Sequence, residues 1–98
     1  MKEFAVEVTA KGADGSLEPF HIYVGAPEAL DDVEFESLAW CSLMDKPHHV
    51  KGASLAQAYR LAFRLVSQLV DYAELALLDR DGNPFRIHAP PDEFNEPS

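Results

Sequence analysis

The stretch from Gly52 to Ala73 constrains the fold of this chain most. Ser54 and Gln57 form an S-x-x-Q pattern just after Gly52. Each of those side chains can satisfy a backbone amide left open at a helix start. Beyond them Leu55, Ala58, Tyr59, Ala62, Phe63, Val66, Leu69, Val70 and Ala73 recur at the spacing of a buried helical stripe. Gln57, Arg60, Arg64, Ser67, Gln68 and Asp71 share the opposite side. Leu61 and Leu65 widen the apolar arc to about 200°, where a helix covering one sheet needs only ~100°. The excess has to bury against a loop of the same chain or against a second subunit.

A helix of this kind needs a sheet beneath it, and the flanking sequence supplies strand patterns. Phe4, Val6 and Val8 share one face of a first strand, and Phe20, Ile22 and Val24 alternate with His21 and Tyr23 in a second. A third strand is expected from Val33 to Met44, with Val33, Phe35, Ala39, Cys41 and Leu43 under the helix. The turn "MDKPH" then leads into a short partner around His49 to Lys51. After the helix, "LALLDRDGNPFRIH" reads as two strands around Asp81-Gly82, a tight-hairpin signal. The expected order is β-β-β-β-α-β-β: an α+β fold with one long helix packed on one face of an antiparallel β-sheet. Residues 1–89 make one domain, and residues 90–98, acidic and proline-rich, read as a mobile tail.

Composition narrows the function classes. With 98 residues, 47% of them hydrophobic, the chain can close a single core without disulfide or metal staples. One cysteine makes no internal disulfide, and neither a secretion signal nor a membrane span is visible, so a soluble cytoplasmic protein is expected. A net charge of −9 with scattered Lys and Arg disfavours direct nucleic-acid binding and docking on anionic lipid. The acidity concentrates in "EALDDVEFE", through Glu28, Asp31, Asp32, Glu34 and Glu36. The bland reading is a solvated linker and strand edge; the sharper one is a patch that docks on a basic partner.

The segment "WCSLMDKPHHVKG" sets one cysteine near two histidines. Strand parity turns Cys41 into the core and His49 away from it, with His48 in the turn. Adjacent histidines that diverge cannot chelate one ion, and His21 and His88 belong to other strands, so no metal site is expected. No G-x-S-x-G elbow occurs, "KGADG" is not a phosphate loop, and Ser54 is the helix cap. No cofactor and no catalytic residue is assigned, and an enzyme is not expected.

What remains is surface. Leu38, Trp40 and Met44 lie opposite the core face of the third strand, with His21 and Tyr23 beside them. Either this face binds a partner, or the C-terminal segment covers it through Phe85, Ile87 and Phe94. Together with Leu61 and Leu65 on the helix flank, these residues form the candidate interaction surface.

Trp40-Cys41, Gly52 and the helix opening "GASLAQAYRLA" resemble a family of small uncharacterised bacterial proteins. Their pattern is a W-C or W-x-C strand followed by G-x-[DS]-x-x-Q-A-x-x-L-A. The matching positions here are Gly52, Ser54, Gln57, Ala58, Leu61 and Ala62. The resemblance implies a bacterial cytosolic source and an α+β fold, and it carries no activity. The leading expectation is a non-catalytic binding or assembly module, as a homodimer. The alternatives are an acidic inhibitor or immunity-type protein on a basic partner, and a small ligand-binding protein or enzyme.

Overall fold

A computed structural model describes residues 1–87. His88, Phe94 and the rest of the expected tail lie outside the described residues. The element order is β1 (Phe4–Lys11), β2 (Leu17–Val24), β3 (Glu28–Ala29), β4 (Phe35–Cys41), β5 (His48–Gly52), α1 (Leu55–Tyr72) and β6 (Ala76–Leu78). Every strand pairing is antiparallel, and α1 packs on one face of the sheet, which is the α+β fold expected. From edge to edge the sheet runs β5, β4, β2, β1, β6, with β3 paired to β4 on the same side as β2.

The helix begins as its cap predicts. Ser54 is extended (φ −154°, ψ 165°), and its hydroxyl accepts the N–H of Gln57 at 3.0 Å. The Gln57 side chain reaches back to the Ala53 N–H. Just before the cap, Gly52 has a steric reason of its own. A Cβ there would stand 2.7 Å from Ala58 N and 3.0 Å from Ala58 Cα, inside helix backbone. Glycine therefore lets the first turn of α1 sit directly on β5.

The stripe meets the sheet as the spacing requires. Ala58, Tyr59, Ala62, Phe63, Val66 and Val70 are buried against Phe20, Ile22, Val24, Ala39 and Cys41. Small Ala58 and Ala62 keep the layers close, and the aromatics fill the flank. Phe63 makes edge-to-face contacts with Phe4 and Tyr59, each at 5.0 Å between ring centres. The Tyr59 hydroxyl donates to the Lys2 carbonyl, so this aromatic group also ties down the start of the chain. The helix lies over β4, β5 and part of β2. Phe85 and Ile87 of the C-terminal segment pack against the same core, with the Phe85 N–H bonded to Leu77 O at 2.8 Å.

Three details depart from the sequence expectation. First, the third strand does not begin at Val33, which is 73% exposed. The Asp31 carboxylate accepts the N–H groups of Val33 and Glu34 at 2.8 and 2.7 Å, and this turn joins the added strand β3 to β4. Second, the strand ends at Cys41, because Met44 N–H closes a turn on Cys41 O at 2.9 Å. Leu43 is consequently exposed rather than under the helix. Third, the Asp81-Gly82 turn forms, with Gly82 at φ 83°, but its second arm is only a bridge from Pro84 to Leu78. Proline has no N–H to extend that ladder.

The β2–β3 edge contains a bulge. Between the Val24–Ala39 and Glu28–Glu36 pairs, Gly25, Ala26 and Pro27 face only Ser37 and Leu38. Ser37, 1% exposed, donates its hydroxyl to Gly25 O at 2.6 Å. A polar residue on the core face is thus satisfied by the irregularity beside it.

Two substitutions test the seating of the helix. Ser54→Ala should cost about 1 kcal/mol through the lost cap, and Gly52→Ala about 1–3 kcal/mol through overpacking. Denaturant titration measures both. An unchanged stability for Gly52→Ala would place the first helical turn farther from β5 than described.

Candidate functional site

Register decides which side chains share the face away from α1. Opposed residues in a ladder point the same way, so the buried pairs Ile22–Cys41 and Val24–Ala39 put Tyr23–Trp40 on the other side. Leu38 follows Trp40 on that side, opposite His49 of β5, and His21 precedes Tyr23, opposite Glu7 of β1. The structure therefore brings His21, Tyr23, Leu38 and Trp40 together. Tyr23, Leu38 and Trp40 are half-buried in a central stripe, while Ala5, Glu7, His21, His49 and Lys51 around them are exposed.

Met44 does not belong to this stripe. Its side chain packs against the core, because the chain turns after Cys41 and strand parity no longer applies. Only its carbonyl serves the face, accepting the Trp40 indole N–H at 3.1 Å. Phe85 and Ile87 pack on the helix side, so neither covers the open face; Phe94 lies outside the described residues. Leu61 and Leu65 form a separate surface. Leu65 packs against the core, and both line a groove with His48, Val50, Arg64 and Gln68. His48 is the first residue of β5 rather than part of the turn.

Two histidine–carboxylate pairs flank the aromatic stripe, and the sequence pattern alone missed both. His21 Nε2 lies 3.6 Å from Glu7 Oε2, and His49 Nδ1 lies 3.0 Å from Glu36 Oε1. The signal that finds them is strand register, which joins β1 to β2 and β4 to β5. Both histidines and Glu7 are largely exposed, so the pairs organise the surface more than they stabilise the fold. Ser42, beside His21, accepts that residue's main-chain N–H at 2.8 Å, which commits its hydroxyl to the backbone.

The acidic run is divided by the fold. Glu28 and Glu36 stand opposite each other, with Lys51 across from Glu36 on the other side. Asp31, Asp32 and Glu34 occupy the turn between β3 and β4. The Val33 and Glu34 amides, with Lys51 nearby, hold the Asp31 carboxyl below its ordinary range. The patch is therefore partly engaged within the chain. His48 and His49 point to opposite faces, and among the described residues no group of three or more His, Cys, Asp or Glu is placed to hold a metal ion. No helix among them is long and apolar enough to cross a membrane.

Comparison of the chain with family models, curated proteins and solved structures gave no match.

Cys41 is fully buried opposite Ile22, and burial pushes its thiol pKa up. Both effects suppress the reactive thiolate. A thiol reagent at neutral pH should therefore label the native chain only as fast as the core opens. Complete labelling within seconds, while the protein remains folded, would contradict that placement.

Proposed function

We propose that this chain is a non-catalytic binding and assembly module that forms a homodimer through its open sheet face. The observation that carries the reading is the stripe of Tyr23, Trp40 and Leu38 on a face with no second layer among the described residues. Aromatic side chains with a polar handle are favoured at such contacts. Trp40 already has its indole N–H satisfied internally, so its ring can meet an apolar surface without an unpaired donor. The paired His21–Glu7 and His49–Glu36 groups form a polar rim on either side.

Charge supports self-association at this face more than elsewhere. The ladders place Glu7, Glu28 and Glu36 on it together with Lys11 and Lys51, so it is far closer to neutral than a chain of net charge −9. A twofold contact would bury the stripe of one copy against that of the other. The acidic run carries a docking function less well, because Glu36 is engaged by His49 and Asp31 by its own turn. A bacterial, cytoplasmic setting belongs to the same reading and rests on the residue pattern from Trp40 to Ala62.

Light scattering at micromolar concentration should report about twice the 10.9 kDa chain mass. Trp40→Asp and Tyr23→Glu should each return it towards the single-chain value, with a cooperative melt retained. Leu61→Glu, on the helix flank, should leave the mass unchanged. A single-chain mass across the accessible concentration range would overturn the dimer.

A further inference from the structure

The outer edge of β5 is unpaired among the described residues, and the hydrogen bonds of β4 determine what that edge offers. Gly25 N–H donates to Leu38 O at 2.8 Å, so the main-chain groups of Leu38 point towards β2 and β3. By alternation those of Phe35, Ser37 and Ala39 point towards β5, where they face Gly52, Val50 and His48. The N–H and C=O groups of His49 and Lys51 are left directed outward. They form a short template for another strand.

Between that edge and α1 runs the groove lined by His48, Val50, Leu61, Arg64, Leu65 and Gln68. Its floor is apolar, with Val50, Leu61 and Leu65 all half-buried. Its polar lining contains no carboxylate, although the chain as a whole is strongly acidic. Arg64 is exposed and has no ion-pair partner among the described residues.

We propose that this edge and groove bind an extended, acidic segment of a partner protein, added as a strand alongside β5. Main-chain bonds to His49 and Lys51 supply affinity that is independent of side chains. A residue of the added strand opposite Val50 points to the helix side, where an apolar side chain meets Leu61 and Leu65. A carboxylate two positions along, opposite His48 and therefore on the same side, meets Arg64 and His48, which sets the sign of the partner's charge. A second copy of this chain fits poorly, because twofold pairing of β5 with itself would bring the Arg64 side chains of both copies to the same side of one short junction, with no carboxylate in either groove. This surface is distinct from the open sheet face, and the inference stands whether or not that face makes a dimer.

The test uses a labelled seven-residue peptide, Thr-Glu-Thr-Val-Thr-Glu-Thr, whose central Val and two Glu residues share one face, titrated into the full chain by fluorescence anisotropy. A second peptide carries Lys for Glu, and a third is N-methylated at the alternate amides that would face β5. The acidic peptide should bind and should shift the amide resonances of His49 and Lys51. Arg64→Glu should weaken it at least about tenfold, and the other two peptides should not bind. No binding of the acidic peptide, equal binding of the Lys or N-methylated peptide, or indifference to Arg64→Glu would overturn the proposal. Binding that appears only when Asp92→Asn, Glu93→Gln and Glu96→Gln are introduced together would also overturn it, since the chain's own acidic segment would then be the occupant.

Discussion

The close seating of α1 on the sheet is the constraint on which the rest of the structure depends. Gly52 has no Cβ, so helix backbone at Gln57 and Ala58 rests on β5, and fully buried Ala58 and Ala62 continue that approach along the helix. A larger residue at Gly52 would lift the first turn away from β5. Once the helix is down, the parity of each strand is fixed: residues that meet it are core, and their neighbours face the other way. Phe20, Ile22, Val24, Ala39 and Cys41 go under the helix, which leaves Tyr23, Leu38 and Trp40 on the open side. The face left open among the described residues thus follows from the packing face.

Much of this was legible in the sequence because it is local and periodic. The cap at Ser54 and Gln57, the helical stripe, and the alternation in β1 and β2 each repeat a short-range rule often enough to be unambiguous. The failures occur where a strand pattern was extended past a turn. Val33 and Leu43 continue the alternation of β4 on paper, but the Asp31 side chain and the Met44 amide fold the chain away at either end. Met44 leaves the open face for the same reason. The bulge opposite Ser37 and the His–Glu pairs depend on register between strands, which no single segment encodes.

The fold separates two kinds of surface chemistry. The open face offers an aromatic stripe with a nearly balanced polar rim, the basis of the proposed self-association. The β5 edge offers backbone groups unpaired among the described residues and a groove lined by Arg64, the basis of the proposed acidic-strand docking. The apolar arc of the helix, wider than one-sided packing needs, is divided between the core and the groove beside β5. Leu65 packs inward, and Leu61 is left half-buried at the groove. The sequence marked this excess apolar surface without saying which neighbour would use it.

The central claim is that among the described residues the sheet has one covered face and one open face, and that the open face carries Trp40 and Tyr23. Hydroxyl-radical footprinting of the full chain, read by mass spectrometry residue by residue and at high dilution to keep copies apart, tests this most directly. Trp40 and Tyr23 should be oxidised readily, while Tyr59 and Phe63 stay protected until the protein unfolds. Protection of Trp40 and Tyr23 equal to that of Tyr59 at high dilution would mean that a further layer of the same chain covers the face, and would contradict the account.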